Sequence, residues 1–230
     1  MSKLSISIIV PIYNEEEAII SSIFRNITVL QSFHCDFEII LVNDGSKDNS
    51  LEIIKSEFSK LPYVRILSYE ENGGIGKAIR SGLDICSKEY ILCVPVDSPL
   101  NNDMFGSFVS NIGKADVIVS YRRERIGYSY RMKINSYAFH LLISKLFQMR
   151  LTDYNWIHCY HRKIFDEKKI TLHANGIFIL AEVLILAQRN KYTIIEIPVD
   201  QEIRLTGIAT ASKLSAIINT LKEMVAFAIK

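Results

Sequence analysis

The fold is decided by residues 4–17, which read LSISIIVPIYNEEE. Leu4 to Val10 is a short, nearly continuous apolar run, which is typical of a strand buried on both faces of a parallel sheet. The polar segment that follows, Tyr13 to Glu17, predicts a turn into a helix. A strand that passes directly into a helix is the repeating unit of alternating α/β folds.

The same unit recurs through the first half of the chain. Further apolar runs of strand length lie at Phe37–Val42, Val64–Ser68, Tyr90–Val94 and Ala115–Ser120. Helix-like segments lie between them at Glu15–Leu30, Ser46–Phe58 and Gly76–Ile85. The first of these helices places one apolar stripe at Ile19, Ile20, Ile23, Ile27 and Leu30. We therefore predict an α/β fold of three layers (α/β/α), with a mostly parallel central sheet flanked by helices and right-handed crossovers.

The pattern changes after Ser120. The second half contains predicted helices at Ile134–Phe147, Gly176–Arg189 and Leu214–Ile229, and predicted strands at Trp156–Arg162 and Thr193–Val199. No repeat, low-complexity tract or Pro/Gly-rich linker divides the sequence. We expect one domain over residues 1–230, whose second half builds over the sheet of the first.

Composition excludes several classes of protein. The chain has 230 residues, of which 49% are hydrophobic and 23% charged, as in soluble globular proteins. Its net charge of +2 is too small to argue for nucleic-acid binding. No apolar run approaches the roughly 18 residues of a membrane span, and the N-terminus does not resemble a signal peptide. Four scattered cysteines without a CxxC pair indicate reduced thiols, so we expect a cytoplasmic protein.

Two polar motifs directly follow predicted strands. Ligands bind at the carboxyl ends of the strands in open α/β sheets, so either motif could line a ligand site. The first, Pro11 to Glu17, could equally be a turn whose acidic residues complement a helix dipole. The second, Asn43 to Asp48, offers a carboxylate to a base or ribose, but it also fits an Asx turn before a helix cap.

The order of the motifs carries more information than either motif alone. A strand ending in Pro11-Ile12-Tyr13-Asn14-Glu15 is followed by one ending in Val42-Asn43-Asp44-Gly45-Ser46. Glu71 to Ala78, with Gly82, then fits the pattern Asn-x-Gly-x-x-x-Ala-x-x-x-Gly. This arrangement resembles the family 2 inverting glycosyltransferases, which have the GT-A fold. A dehydrogenase is a poor fit, because Gly73 to Gly76 follows the third strand and lacks the GxGxxG spacing.

The C-terminal region is similar to one subgroup of that family. Glu196 to Val199, Arg204 to Gly207 and Ser212 to Leu214 look like the Glu-x-Pro and Arg-x-x-Gly-x-Ser-Lys region of the polyprenyl- and dolichyl-phosphate mannosyl- and glucosyltransferases. The resemblance covers most of the chain in order. It implies a nucleotide-binding half at 1–120 and an acceptor-side half at 121–230.

The resemblance also implies where a GDP- or UDP-sugar donor would bind. Pro11, Tyr13 and Glu15 would flank the base and ribose, and Asp44 would accept a hydrogen bond from the base. Lys77 is a candidate for a ribose or phosphate contact; the alternative is a solvated lysine early in a helix.

Two cations near the C-terminus would complete the donor site by the same resemblance. Arg204 and Lys213 would neutralise phosphate charge, since charge-assisted and bidentate hydrogen bonds are strongest there. Arg204 would also act in catalysis, by stabilising the charge that develops on the leaving group.

The metal motif departs from the family pattern. Family members usually have Asp-x-Asp, whereas this chain has Pro95-Val96-Asp97. Only Asp97 remains as a metal ligand and catalytic candidate. Mg²⁺ or Mn²⁺ could take most of its roughly six oxygen ligands from the diphosphate and water, or a metal could be dispensable.

The acceptor side also departs from the family pattern. Family members often show Asp-x-x-Ser-Gly-Phe, where this chain has Asp153 followed by Tyr-Asn-Trp-Ile-His. Asp153 is a candidate catalytic base, or a structural carboxylate paired with Arg150 or Arg162. Glu182 is either a site residue or a buried, paired carboxylate.

We therefore expect an inverting transferase that moves a sugar to a polyprenyl-phosphate or related lipid acceptor. A phosphate monoester is already anionic near neutral pH, so that acceptor needs no strong base. The alternatives are transfer to a saccharide hydroxyl during surface-polysaccharide synthesis, or a catalytically silent nucleotide-binding module.

The segment Arg122–Lys133 is the one basic, tyrosine-rich cluster of the sequence. It is either a solvated surface or an acceptor loop near anionic phosphate or a membrane, and nucleic acid is not expected as a partner. Peripheral contact with the inner face of the membrane is compatible with the apolar stripes of Ile134–Phe147 and Leu214–Ile229, although core packing explains such stripes equally well.

Overall fold

A computed structural model describes residues 3–124, 129–166, 170–200 and 214–229. Within them, seven strands form one sheet in the order β3-β2-β1-β4-β6-β5-β7. The strands are β1 (Ser5–Ile12), β2 (Asp36–Asp44), β3 (Val64–Tyr69), β4 (Tyr90–Cys93), β5 (Val117–Arg122), β6 (His158–His161) and β7 (Ile194–Val199). The predicted α/β architecture with a mostly parallel sheet is confirmed.

One strand runs against all the others. β1 pairs in parallel with β2 and β4, β2 with β3, and β5 with β7, whereas β6 is antiparallel to both of its neighbours, β4 and β5. The residues that enter β6 therefore lie at the edge of the sheet where the parallel strands end. This reversal brings Asp153 to the same edge as the motifs of the first half.

Helices cover both faces of the sheet. They are α1 (Ile19–Ser32), α2 (Ser50–Phe58), α3 (Ile75–Ile85), α4 (Asn102–Val109), α5 (Tyr130–Phe147), α6 (Lys163–Asp166), α7 (Phe178–Arg189) and α8 (Leu214–Ala228). The apolar side chains of α1, α2 and α4 pack in one core, and those of α3, α5, α6, α7 and α8 pack in a second core on the opposite face. None of the helices in the described ranges is long and apolar enough to cross a bilayer.

The sequence predictions are wrong in a few local details. α1 begins at Ile19 rather than Glu15, because Glu15 to Ala18 form a turn whose carbonyl at Glu15 accepts from the N–H groups of Ala18 and Ile19. Ile20 is 41% exposed, since it lies one step around the helix from the buried stripe. The short helices α4 and α6 were not predicted; α4 has only eight residues and contains Gly106, which weakens its helical pattern.

A buried carboxylate links residues at the edge of the sheet where the parallel strands begin, opposite the edge that carries the polar motifs. Glu38 of β2 accepts hydrogen bonds at Oε1 from the Ser7 hydroxyl (2.7 Å), the Ser87 N–H (2.6 Å) and the Ser87 hydroxyl (2.9 Å). Arg65 of β3 lies 3.6 Å from Oε2. Burial alone would raise the pKa of Glu38, but these hydrogen bonds outweigh it and the pKa is lowered. The carboxylate therefore joins three strands while ionised.

We expect Glu38→Gln to destabilise the fold at pH 7 by about 1–3 kcal/mol, the scale of a hydrogen bond to a charged group. The pKa of Glu38 is lower in the folded state, so its stabilisation is present above the unfolded pKa and is lost as the pH falls through the folded pKa. Urea denaturation at pH 7 and at pH 3 measures this, with the exposed Glu57→Gln as control. A gap between parent and Glu38→Gln that stays constant over this pH range would contradict the assignment.

Candidate functional site

The loops after β1 and β2 are cross-linked by hydrogen bonds. Asn14 has a left-handed backbone (φ 55°); its N–H donates to the Ser46 hydroxyl (3.1 Å), and its side-chain Oδ1 accepts from the Lys47 N–H (2.8 Å). The N–H of Glu15 donates to the Ser50 hydroxyl (2.9 Å). Asparagine tolerates this backbone conformation better than most residues, so Asn14 is well suited to link the two loops by hydrogen bonds.

A second set of bonds closes the outer end of the same loop pair. The Glu16 N–H donates to Asp48 Oδ2 (3.1 Å), and Glu16 Oε2 accepts from both the backbone and the side-chain amide of Asn49 (2.9 and 2.7 Å). Burial tends to raise the pKa of Asp48, but hydrogen bonds from Ser50 and Glu16 outweigh it and the pKa is lowered. The two loops thus form one preorganised platform.

Three of the residues predicted to bind the donor lie on this platform or at its base. Pro11 is half-buried within β1, Glu15 is half-buried in the turn before α1, and Tyr13 is 43% exposed between them. A tyrosine ring that remains this accessible in an otherwise hydrogen-bonded loop is available for stacking against a planar group.

Asp44 holds the loop after β3. The residue is buried, and its carboxylate accepts from the Gly73 N–H at Oδ1 (2.9 Å) and from the Gly74 N–H at Oδ2 (2.8 Å). Gly74 has φ 90°, which an L-residue with a side chain rarely adopts. Asp44 therefore fixes a glycine turn at the sheet edge; each carboxylate oxygen keeps a lone pair with which it can also accept from a ligand.

Lys77 is held against the same turn. Its ammonium lies 4.1 Å from the centroid of the Tyr69 ring, and its stem packs against Gly73. The Tyr69 hydroxyl donates to Ser81 (2.7 Å), which fixes the ring. A cation stacked on a fixed aromatic ring beside a glycine turn is better ordered than a solvated lysine.

A segment of the second half packs directly onto this glycine turn. The Gly76 N–H donates to the Asn175 carbonyl (2.7 Å), and Arg80 donates to Ala174 and Asn175. A Cβ atom at Gly74 or Gly76 would overlap the carbonyls of Asn175 and Ala174, respectively. The absence of side chains at these two glycines is what lets the backbones meet.

Two glutamates accept hydrogen bonds from the backbone of that segment, residues 173–176. Glu182 of α7 is fully buried and accepts from the N–H groups of His173 (2.9 Å) and Ala174 (2.9 Å). Glu223 of α8 accepts at Oε1 from the N–H groups of Asn175 and Gly176, both at 2.8 Å. Of the two interpretations of Glu182, the contacts favour the buried, paired carboxylate, with backbone amides as the partners.

Asp153 is paired with Arg122, the first residue of the basic segment Arg122–Lys133. Arg122, at the end of β5, donates through Nε (2.8 Å) and Nη2 (2.7 Å) to Asp153 Oδ2, and both side chains are buried. The Arg122 guanidinium also lies 4.4 Å from the centroid of the Trp156 ring. For the alternative in which Asp153 is a structural carboxylate, the sequence predicts Arg150 or Arg162 as its partner, which is wrong. Arg122 is not deducible from the sequence because only the reversed direction of β6 brings position 153 beside the end of β5.

Asp97 lies in the loop between β4 and α4, at the same edge, and is half-buried. No group of three or more His, Cys, Asp or Glu residues in the described part of the chain could hold a metal ion. One carboxylate fits a Mg²⁺ or Mn²⁺ ion only if substrate oxygens complete the shell, which is how magnesium is commonly bound beside phosphates.

Two of the predicted phosphate-binding residues, Arg204 and Lys213, lie outside the described residues. Arg125 and Tyr128 of the basic cluster do as well.

Buried histidine and cysteine side chains near the sheet are neutral. Burial lowers the pKa of His158 to about 4 and raises that of the Cys86 thiol to about 12. All four cysteines are unpaired. At neutral pH His158 is therefore uncharged and the Cys86 thiol is not activated as a nucleophile, and the four unpaired cysteines agree with the prediction of reduced thiols.

α5 and α8 both contribute apolar side chains to the second core, and both also expose apolar side chains at the surface. Tyr130, Ile134, Tyr137, Leu141, Leu142 and Leu146 of α5 are exposed, as are Ile218, Leu221 and Val225 of α8. The two helices meet where the Phe147 and Phe227 rings lie 5.7 Å apart. α5 contains two lysines and one arginine and no acidic residue.

Comparison with known proteins identifies relatives over most of the chain. A dolichyl-phosphate beta-glucosyltransferase of Trichomonas vaginalis is 28% identical over 233 residues, covering 90% of this chain and 68% of the relative. A dodecaprenyl-phosphate galacturonate synthase of Rhizobium johnstonii is 28% identical over 176 residues, covering 74% and 52%. The chain spans between 47% and 70% of the length of five curated relatives that it matches.

Solved structures confirm the GT-A fold. A glucosyl-3-phosphoglycerate synthase from Mycobacterium tuberculosis, crystallised with Mn²⁺, UDP and glucosyl-3-phosphoglycerate, superposes with a TM-score of 0.72 at 16% identity. The superposition covers 99% of this chain and 80% of that one.

The family model described as glycosyl transferase family 2 matches residues 7–171, which is more than two thirds of the sequence. It includes β1 from Ser7 onwards, β2 to β6, and Tyr13, Asp44, Lys77 and Asp97. The chain therefore belongs to glycosyl transferase family 2.

Proposed function

We propose that this protein is an inverting glycosyltransferase that moves a sugar from a UDP- or GDP-sugar to a polyprenyl-phosphate or related lipid-linked acceptor. The observation that carries the proposal is the convergence of the two cross-linked loops, the Asp44-bound glycine turn and Asp97 at one edge of a family 2 sheet. Residues 1–120 would form the nucleotide-binding half and residues 121–230 the acceptor-side half.

The platform would bind the nucleoside part of the donor. Pro11, Tyr13 and Glu15 would flank the base and ribose, with the exposed Tyr13 ring against the base. Because hydrogen bonds already fix both loops, binding would not have to order them. Asp44 would accept from the base while it holds the glycine turn, and Lys77 beside that turn would reach the ribose or a phosphate.

The diphosphate leaving group needs positive charge. Asp97 would hold Mg²⁺ or Mn²⁺, which when bound supplies electrostatic stabilisation to the leaving diphosphate. Arg204 and Lys213 would neutralise the remaining phosphate charge. Because Asp97 is a single carboxylate, we expect the ion to bind the free protein weakly and the nucleotide complex tightly, as linkage requires.

The Arg122–Asp153 ion pair favours a phosphate acceptor over a hydroxyl. Both carboxylate oxygens of Asp153 are already engaged, Oδ2 by the buried Arg122 guanidinium and Oδ1 by the Asn155 N–H (3.2 Å), so we assign Asp153 to holding Arg122 rather than to acting as a general base. A lipid phosphate is already anionic near neutral pH and needs no base. Asp153 would then act by fixing Arg122 at the acceptor side. The names of the dolichyl- and dodecaprenyl-phosphate relatives support the same acceptor class.

An acceptor of this class resides in a membrane, and the surface of α5 and α8 suits peripheral contact with one. A helix that exposes leucine, isoleucine and tyrosine beside lysine and arginine, without acidic residues, is typical of an interfacial helix on anionic lipid. We propose that these two helices rest on the inner face of the membrane.

The test of the function is transfer itself. We expect the parent protein to transfer sugar from UDP-glucose or GDP-mannose to a polyprenyl phosphate with Mn²⁺ present. Asp97→Asn should lower kcat by about a hundred- to a thousand-fold with the fold intact, since it removes charge stabilisation of the leaving group. The exposed Asp84→Asn is the control. Transfer only to a saccharide hydroxyl would favour that alternative, and nucleotide binding without transfer or donor hydrolysis would indicate a silent binding module.

Asp44→Ala should weaken UDP or GDP binding by roughly 1–3 kcal/mol, because the glycine turn loses its carboxylate and the base loses an acceptor. Isothermal calorimetry measures this, with Asp84→Ala as the matched control. Unchanged affinity in a folded Asp44→Ala protein would remove Asp44 from the nucleotide site.

Replacing Leu141 and Leu146 together by Glu should reduce binding to phosphatidylglycerol vesicles by about ten-fold or more, because apolar burial is lost and charge repulsion is added. Vesicle co-sedimentation measures this. Ile20→Glu, on the opposite helical layer, should bind like the parent. If the double variant also binds like the parent, α5 is not the membrane face.

A further inference from the structure

One buried polar side chain on α1 has no role in the proposal above. Asn26 is fully buried on a stripe that otherwise consists mainly of Ile19, Ile23, Ile27 and Leu30. Burying an amide costs several kcal/mol unless its hydrogen-bonding groups are paired. An apolar residue would suit this position better if packing were the only requirement.

The amide of Asn26 is bound on one side. Oδ1 accepts a hydrogen bond from the N–H of Leu100 at 2.8 Å. Nδ2 is buried without a hydrogen-bond partner in the part of the chain that the structure describes, and so is the hydroxyl of Ser22 one helical turn away. Among the described residues the Asn26 side chain therefore leaves a donor unsatisfied, and its oxygen is bonded to the loop after β4.

That loop carries Asp97. Its first end is fixed by the Val94 N–H, which donates to the Ile9 carbonyl in β1 (2.9 Å). A turn follows, in which the Ser98 N–H donates to the Pro95 carbonyl (3.2 Å). At the far end the Leu100 side chain is fully buried, and Asn26 accepts its N–H. Asp97 thus lies between one anchor in the sheet and one in α1.

We propose that Asn26 is a positioning residue, which sets the placement of Asp97 by holding the Leu100 end of this loop. The inference rests on the proposed function, because it gives Asp97 the task of holding a divalent ion beside the donor diphosphate. Pro95 offers no side-chain ligand, so no second carboxylate in that motif would correct a displaced Asp97. The position of the loop then matters more than it would beside two aspartates.

The test uses three variants of the whole chain. Asn26→Leu keeps the branching of the side chain at Cγ, although leucine is larger, and removes the acceptor; Asn26→Asp keeps an oxygen in the place of Oδ1. Ser22→Ala is the control, since it changes the neighbouring buried position, which has no bond to the loop. Mn²⁺ affinity is measured by titration with saturating UDP and, separately, GDP. Amide hydrogen exchange is followed over residues 94–101.

We expect Asn26→Leu to weaken Mn²⁺ binding by about ten- to a hundred-fold, as removal of groups that orient a metal ligand commonly does. The rate of amide hydrogen exchange should rise over residues 94–101 and remain like that of the parent elsewhere. Asn26→Asp should recover most of both properties, and Ser22→Ala should match the parent in both. A change in melting temperature alone, with parent-like Mn²⁺ affinity and exchange in Asn26→Leu, would overturn the proposal.

The exchange measurement separates this inference from the proposed function. If the parent binds no Mn²⁺ with either nucleotide, the proposed role of Asp97 fails, and with it the metal part of the inference. A rise in amide hydrogen exchange confined to residues 94–101 in Asn26→Leu, and its reversal in Asn26→Asp, would still establish that Asn26 positions the loop. Parent-like exchange in Asn26→Leu would overturn that too.

Discussion

The carboxyl edge of this sheet depends on carboxylates that accept backbone N–H groups. Asp44 holds Gly73 and Gly74, Glu182 holds His173 and Ala174, and Glu223 holds Asn175 and Gly176. Loops packed against each other cannot satisfy all of their amides with water, and an unpaired buried amide is costly. A carboxylate that accepts two such groups solves this problem, and hydrogen bonds to a charged acceptor are stronger than those between neutral groups.

This arrangement explains how much of the site could be predicted from the sequence. The strands of the first half are apolar runs, and the polar motifs follow them immediately, so their convergence at one edge required only the rule for parallel sheets. The same rule predicts that Asp44 lies at this edge, and the structure places it there. Its glycine partners could not be deduced, because they belong to a loop some thirty residues later whose path depends on packing.

The second half was less predictable because its contacts depend on tertiary structure. The pairing of Asp153 with Arg122 requires that β6 run against its neighbours, and four residues of strand carry no signal of direction. The role of Asn26 could not be predicted for another reason. A single asparagine in an isoleucine-rich stripe is compatible with an ordinary amphipathic helix and does not indicate a buried hydrogen bond. Asn26 stands out because its side-chain amide is buried with one donor unpaired among the described residues, and burial is known only from the structure.

Gly74 and Gly76 meet the carbonyls of Asn175 and Ala174 at distances that leave no room for side chains. The two backbones are therefore fitted to each other as a matched pair, one from each half of the chain. A chimaera that takes its second half from a relative would have to exchange residues 73–77 and 173–176 together. A junction placed between them would join surfaces of mismatched shape, however well each half folds.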